Sequence, residues 1–452
     1  MKAANGRVLY LVVKQALRAS GIQFEINNQN AVLIWCDTVK IEYFNQLLPW
    51  QVINRIPWSQ TMCRKVPFVL LLQRAAHYFP DQLKFLPKSY VLPHDYASFQ
   101  EALNLHDRTH IYKPDKGSLG HGITVIRPED PQFYVPDKLA VAQEYIDSFV
   151  IDDRKFDLRI YALVTSLHPL TIYIYRGGVA RFCTESVSST SKFSVLTNTS
   201  VNSKNPDAIP DKMTRMLTDV FDELQRMGHD IDKLWSSIDH AIVVSFLSAY
   251  SFLLKAESQQ CPYHRYSRCF QIIGCDILLD KQLNPYILEI NYRPSLKCNT
   301  QNSHDMKLGM LVDAIRIAAP LEPLQKLLDE NPDFPRDVNG FYQFIDENQN
   351  VIDEMENLKM QNEANNGFRK VFPNDNNKIW NEMYDKLKSL PTETTEEFGL
   401  PLQILNQDDR EMADGRKCMS RFFRSVRNMK KISAKDFMKL QIVKQRAKNL
   451  LQ

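Results

Sequence analysis

Most features that would reveal a function at a glance are missing from this chain, and each absence removes a class. Its eight cysteines, at positions 36, 63, 183, 261, 269, 275, 298 and 418, include no CxxC pair, so reduced thiols are the simplest reading. Cys261, His264, Cys269 and Cys275 are ligand types, but their spacings match no common zinc module. Near the N-terminus the longest apolar run is VPFVLLL (66–72), far short of the roughly 20 residues of a membrane helix. The start, MKAANGRVLYLVVKQAL, carries too short an apolar run for a signal peptide. No membrane span or secretory route is expected. Neither a GxxxxGK[ST] loop nor a dinucleotide fingerprint occurs, there is no internal repeat, and no Ser/His/Asp or Cys/His arrangement argues for a covalent nucleophile.

What remains is ordinary globular composition: 452 residues, 44% hydrophobic and 24% charged, enough for two or three domains. The net charge of +3 is unevenly spread. Residues 410–452 hold 13 Lys and Arg against 3 Asp and Glu, a net +10, which leaves −7 for residues 1–409. Along the chain, helical patterns alternate with strand pairs. RKVPFVLLLQRAAHYF and YASFQEALNLH read as helices, THIYKP and ITVIRP as strands around a glycine-rich turn, and RKFDLRIYALVT as a long strand. LTIYIYRGGVARFCTES reads as a hairpin bent at Gly177 and Gly178. Residues 211–257 and MKLGMLVDAIRIA are helical by three- and four-residue apolar spacing. Antiparallel pairs with helices between them give an α+β class rather than a βαβ series.

The most informative stretch is GCDILLDKQLNPYILEINYRPS (274–295). GCDILLD and PYILEIN read as strands joined by the polar loop 281–284. With Asp280 opposite Pro285, the register pairs Asp276 with Glu289 and Gly274 with Asn291, so Asp276, Glu289 and Asn291 share a face. Opposed side chains have Cβ atoms roughly 5 Å apart, close enough to hold a hard cation such as Mg²⁺. The alternative is a hairpin whose acids face water. Apolar neighbours weaken it, because a half-buried carboxylate pair repels itself without a counter-ion.

Three further segments fit a polyanion. In KPDKGSLGHGI (113–123), Gly117, Gly120 and Gly122 would let a flap fold its amides over phosphates, with Lys113 as a point charge, although such a turn can also be merely flexible. In KFDLR, alternation puts Lys155, Asp157 and Arg159 on one strand face, costly in a core and reasonable in an anion-lined cleft. QEYI (143–146) offers an edge for a base or a plain buried strand.

Taken together, KP…GxxGxGI, QEYI, KFDLRIYALVT…PLTIYIYRGGVARF, LTN (196–198) and GCDILLD…PYILEINYRPS resemble, in fixed order from about Asn54 to Ala318, the tubulin tyrosine ligase-like family of ATP-grasp ligases. The ILLD strand, the KFDLRIY wording and the PS after EIN look most like its polyglutamylating members. The resemblance implies an α+β ATP-grasp fold of tubulin tyrosine ligase type with a helical basic C-terminal extension. Lys65 and Lys113 would contact ATP phosphates beside Gly120 and Gly122, and Gln143, Glu144, Tyr145 and Ile146 would form the adenine hinge. Lys155, Asp157, Thr197 and Asn198 would line ribose and phosphates, Arg159 and Arg181 would hold carboxylates of the reacting amino acid or acceptor, and Asp276, Glu289 and Asn291 would bind Mg²⁺. With ATP as cofactor, a glutamate side chain of a tubulin tail would be activated as an acyl phosphate and joined to free glutamate. Departures are Val195 where a His commonly precedes LTN, His121 in the glycine loop, and NRIPW (54–58). Alternatives are a glycine or tyrosine ligase, a ligase on another acidic protein, or a non-catalytic microtubule-binding pseudoenzyme.

The expected organisation is an N-terminal α/β subdomain (1–58), a central subdomain (59–143), a C-terminal subdomain with the metal site (144–330), a polar linker with short helices (331–409) and a basic amphipathic tail (410–452). In the tail, Phe422, Val426, Met429, Leu440 and Val443 recur at helical spacing beside Arg421, Arg424, Lys431, Lys435 and Lys439. Given the family, the acidic microtubule surface is the expected partner, with no nucleic acid or membrane, in a monomer of the cytoplasm and cytoskeleton, extending to cilium or flagellar basal body.

Overall fold

The computed structural model describes residues 2–5, 8–24, 31–39, 41–105, 108–116, 120–127, 139–189, 191–209 and 212–392. The chain begins β1 (Lys2–Asn5), α1 (Leu11–Ala19), β2 (Gln23–Phe24), β3 (Leu33–Ile34), α2 (Ile41–Phe44), β4 (Val52–Ile53), α3 (Ser59–Met62), α4 (Lys65–Tyr78). Next come β5 (Ser89–Leu92), α5 (Tyr96–Leu105), β6 (His110–Pro114), β7 (Thr124–Ile126), β8 (Ala140–Glu144) and β9 (Val150–Ile151). The long strands β10 (Arg154–Leu167) and β11 (Leu170–Phe182) precede α6 (Lys192–Val195), α7 (Thr199–Asn202), β12 (Thr214–Met216), α8 (Leu217–Arg226) and α9 (Ile231–Gln260). After β13 (Gln271–Leu279) and β14 (Pro285–Asn291) come α10 (Gln301–Ala318), α11 (Glu322–Glu330), α12 (Val338–Glu347), α13 (Asn350–Glu363), β15 (Phe368–Phe372) and α14 (Lys378–Lys388). Helices and sheets are mixed, an α+β fold.

Two compact units divide the described residues: parts of Met1–Cys63, Ala75–Phe85 and Asp147–Thr392 form the first, and parts of Arg64–Arg74 and Leu86–Ile146 the second. At the heart of the first is an antiparallel sheet in the order β12-β11-β10-β13-β14, with β15 also on β11 and β9 on β10. A smaller parallel sheet, β2-β1-β3-β4, belongs to the same unit.

The two faces of the large sheet follow from alternation. One carries Phe156, Leu158 and Ile160 of β10, Phe182 and Ala180 of β11 and Ile277 and Cys275 of β13, all buried. Phe156 and Phe182 stack with ring centroids 5.1 Å apart. α9 lies against β10, β14 and β15 and is itself buried along Ala241–Leu253, where every residue is covered. By length and composition it could cross a membrane, but 78% of its most apolar stretch is buried within the fold. Each large apolar side chain so covered contributes roughly 1.5–3 kcal/mol. On the opposite face, Tyr161 and Leu163 of β10, Tyr173 of β11 and Ile272 of β13 join a core with Met310, Leu311, Ala314 and Ile315 of α10 and Val13, Ala16 and Leu17 of α1. That cover takes one end of the face. The other end carries the charged residues described below.

Two sequence expectations change here. Gly177 and Gly178 do not form the hairpin's bend, because β11 continues through them and the chain reverses at His168–Pro169. Gly178 has φ +152°, and a Cβ on it would stand 2.4 Å from the Arg159 carbonyl oxygen, so glycine there allows β10 and β11 to stay paired across an irregularity. Within the stretch read as a polar linker, residues 338–388 hold α12, α13, β15 and α14, and β15 extends the large sheet through Ile172↔Phe372 and Tyr175↔Phe368. Phe341, Ile345, Trp380, Met383 and Leu387 are its buried anchors, spaced too sparsely among polar residues to dominate the composition. The basic tail and residues 393–409 lie outside the described residues.

In the second unit the antiparallel order is β5-β8-β6-β7. Val66, Val69 and Leu70 of α4 pack on Val91 and Val141, and Phe99 of α5 on Tyr90 and His110.

One buried acid gives a testable pH dependence. Glu257 of α9 is 0% exposed, bonds His168 Nδ1 at 3.0 Å and leaves Oε1 without a partner. Burial, with a smaller push from Cys261, raises its pKa from 4.5 to about 8, while burial lowers that of His168, so the pair is neutral. The folded state therefore keeps a proton that the unfolded chain releases between about pH 4.5 and 8, and stability falls as pH rises through that window. Glu257→Gln is expected to flatten this slope and to stabilise the chain by about 1–3 kcal/mol at pH 8.5, read by denaturant melts at pH 5.5 and 8.5.

Candidate functional site

The hairpin expected over Gly274–Asn291 forms, with one adjustment. Gly274 pairs with Asn291 and Asp276 with Glu289, but Leu279 rather than Asp280 faces Pro285, and a bulge at Leu288 takes up the extra residue. On the neighbouring strands Arg159 pairs with Asp276 and Asp157 with Arg181. Lys155, Asp157, Arg159, Arg181, Asp276, Glu289 and Asn291 thus share one end of one sheet face, where Lys155, Asp157, Arg159 and Asp276 are buried.

Four of them form an ion-pair ladder. Arg159 donates through Nε and Nη2 to Asp276 Oδ1 and Oδ2 at 2.5 and 3.0 Å. Arg181 donates to both oxygens of Asp157 at 2.7 and 2.6 Å and reaches Asp276 Oδ2 at 2.8 Å. Thr197 Oγ1 donates to Asp157 Oδ2 at 2.5 Å, and Asn291 Nδ2 lies 3.4 Å from Asp276 Oδ2. Asn198 follows as the residue before α7, its carbonyl accepting from Val201 and Asn202. Burial alone would raise the Asp276 pKa, but the charges of Arg159 and Arg181 outweigh it and hold the carboxyl well below the usual range. Burial likewise opposes charge on Arg159 and Arg181, and their aspartates outweigh it, so both stay cationic. The two arginines expected to face substrate carboxylates are thus paired within the sheet.

Gly274 makes this geometry possible. A Cβ there would lie 2.8 Å from Pro294 Cβ and 3.3 Å from Arg159 Cδ, so the bare backbone lets Pro294 and the Arg159 side chain close over it.

The donor chemistry suits a hard cation: two carboxylates on directly paired residues, with an amide whose half-turn rotation presents Oδ1. Among the described residues no three His, Cys, Asp or Glu side chains converge on a metal position. The candidate centre therefore relies on Asn291 as third protein donor and on Asp276 sharing its oxygens with the arginines.

The other expected residues fall in the second unit. Lys113, 7% exposed, donates Nζ to Gln143 Oε1 at 2.7 Å, and Gln143 Nε2 donates to Ser89 Oγ at 2.8 Å. Glu144 is ion-paired with Arg108, the Tyr145 amide donates to the Thr109 carbonyl at 2.9 Å, and Ile146, half-buried, ends that segment. Gly120 and Gly122 take φ of +76° and +74° in the turn, and a Cβ on Gly122 would meet Pro114 Cγ at 2.9 Å. Lys65 is the first residue of α4. Sequence reasoning passed over Asp115, which accepts from the Val66 amide at 3.0 Å and pairs with Arg64, tying the glycine turn's stem to the start of α4. It also passed over Arg55 of NRIPW. Asp115 lies inside KPDKG, so proximity was the available signal.

Residues 44–326 match the Tubulin-tyrosine ligase family. Similar curated proteins include "Tubulin polyglutamylase ttll6" of Danio rerio, 30% identical over 407 residues, 85% of this chain and 52% of that protein. "Tubulin polyglutamylase TTLL7" of Homo sapiens is 35% identical over 312 residues, 64% of this chain and 35% of that protein. "Probable beta-tubulin polyglutamylase" of Tetrahymena thermophila is 31% identical over 316 residues, 66% and 26% respectively. The chain spans about half or less of the length of these relatives. Because the family match takes in well over half of the 452 residues, and both the paired carboxylates and the glycine turn lie inside it, the chain belongs to the tubulin-tyrosine ligase family.

Proposed function

We propose that the chain is an ATP-dependent ligase of the ATP-grasp type that adds glutamate to glutamate side chains in the acidic C-terminal tails of tubulin. What supports this reading above all is the charged sheet face, where Asp276 lies across from Glu289 while lysine and arginine side chains occupy the adjoining strands. A phosphoryl group in transfer spreads negative charge over its oxygens, so positioned cations carry most of the catalysis. Lys155 is 6% exposed and Lys113 7%, and a cation held that dry acts more strongly on a phosphate than one in water.

In this reading Lys65, Lys113 and the amides around Gly120 and Gly122 hold phosphates, Gln143–Ile146 hold the adenine edge, and Asp157, Thr197 and Asn198 the ribose and phosphates. Asp276, Glu289 and Asn291 would hold Mg²⁺, which when bound neutralises charge on the phosphates. Arg159 and Arg181, their charge maintained by Asp157 and Asp276, would stabilise the oxyanion as the amine of free glutamate attacks the acyl phosphate carbon. The C–O bond then breaks, inorganic phosphate leaves and the amide remains. No side chain needs to form a covalent bond to substrate.

Tubulin incubated with the chain, ATP and each of glutamate, glycine and tyrosine in turn, followed by mass spectrometry of the tails, tests the proposal. Glutamate alone should add mass, on glutamate side chains, and only with ATP present. Addition of glycine or tyrosine instead would shift the donor assignment, and no addition with any of them would support a non-catalytic binder.

A further inference from the structure

A small pocket in the first unit lies beside the ladder and is used by none of the roles above. Arg55, Arg293, Asn54, Asp37, Trp35 and Pro294 are among its lining residues. It has room for roughly one or two waters, which suits a carboxylate and excludes a nucleotide.

Arg55 is only 8% exposed. Its Nη1 donates to the Asn54 carbonyl and its Nη2 to the Asp37 carbonyl, both at 2.9 Å, while its Nε has no partner. The Asp37 carboxylate lines the same pocket and accepts from the Leu9 amide at 2.5 Å through Oδ2, with no hydrogen bond from the Arg55 guanidinium. Burial pulls the Arg55 pKa down to about 10, against the pull of Asp37, which still leaves the guanidinium charged at neutral pH. Asp37 supplies one negative charge near two cations, and the buried Arg55 Nε still has a donor to spare, so the pocket keeps a net positive charge and room for a further acceptor. Arg293, exposed, adds a second positive charge to the same pocket.

The position is equally specific. Arg293 and Pro294 follow directly on β14, which carries Glu289 and Asn291. Pro294 Cβ and Arg159 Cδ both close on the point where a Gly274 Cβ would stand, at 2.8 and 3.3 Å, so the pocket wall and the ladder meet over Gly274. Ile272, also lining the pocket, is about 13 Å along β13 from Asp276. With Arg159 and Arg181 bonded to aspartates and assigned to the oxyanion, Arg55 and Arg293 are left to receive a carboxylate on the other side of Gly274 from the ladder.

We propose that Arg55 and Arg293 form a carboxylate-binding subsite that holds either the carboxylate of the free amino acid or a non-reacting glutamate of the acidic acceptor. This rests on the ligase reading above. The test is titration calorimetry without turnover, using free L-glutamate, a glutamate-rich peptide and ATP as separate ligands, on the parent chain, Arg293→Gln and Arg55→Lys, with melting temperature as a folding check. Arg293→Gln should weaken one carboxylate ligand at least tenfold while ATP affinity and melting temperature stay unchanged. Loss confined to glutamate assigns the donor, loss confined to the peptide assigns the acceptor, and loss of both assigns a shared subsite. Unchanged affinity of both ligands for Arg293→Gln and for folded Arg55→Lys, or no binding of either by the parent chain, overturns the proposal. Because no amide need form, arginine-dependent carboxylate binding without incorporation would count against the ligase reading alone.

Discussion

Glu289→Gln is expected to cut ATP-dependent incorporation of labelled glutamate into tubulin at least about 100-fold while the chain stays folded. Glu289 is half-buried across the strand pair from Asp276, and its amide leaves both arginine–aspartate pairs in place. Asp276→Ala should abolish incorporation too, but for two reasons. It removes a proposed metal donor and strands Arg159, 10% exposed at the side chain, while Arg181 keeps only its Asp157 partner. Losing one partner of a buried pair costs about 3–5 kcal/mol, so this variant should also melt measurably earlier. Activity lost with stability intact in the first variant, and both lost in the second, separates chemistry from folding. Wild-type turnover in Glu289→Gln would place the reacting centre elsewhere.

Removal of residues 410–452 should weaken microtubule co-sedimentation more than tenfold at low ionic strength. The truncation takes away a net +10 and turns a chain of +3 into one of −7, so attraction to an acidic surface becomes repulsion. The difference should shrink as salt rises, because exposed charges are screened beyond roughly 8–10 Å at physiological ionic strength. These residues lie outside the described part of the structure, and the expectation rests on charge alone. Equal sedimentation of both forms at every ionic strength would remove the tail from microtubule binding.

The centre of the site is legible in the sequence because side-chain alternation and a short polar loop set local register. That is enough to pair Asp276 with Glu289, and Lys155, Asp157 and Arg159 likewise follow from period two. The Leu288 bulge is not legible, since a one-residue adjustment leaves the apolar pattern unchanged. Nor is the ladder, because Arg159 and Asp276 are 117 positions apart and only the order of strands brings them together. The role of Gly178 was misread for a related reason: a glycine pair signals either a bend or a close approach, and the Arg159 carbonyl that decides between them comes from another strand. Residues 338–388 look like linker because a few anchors such as Phe341 and Trp380 suffice to dock polar helices on a finished core. Arg55 shows nothing unusual in sequence, since its burial and its spare Nε donor exist only once the fold brings Asp37, Asn54 and Arg293 around it.

The most direct measurement is a structure of the full chain with Mn²⁺ in place of Mg²⁺ and a non-hydrolysable ATP analogue, with the metal located by its anomalous scattering. A peak bounded by oxygens of Asp276, Glu289 and Asn291 and by phosphate oxygens is the expected result. A nucleotide bound with its metal held by other side chains, or with Asp276 left on the arginines alone and no metal beside it, would contradict it.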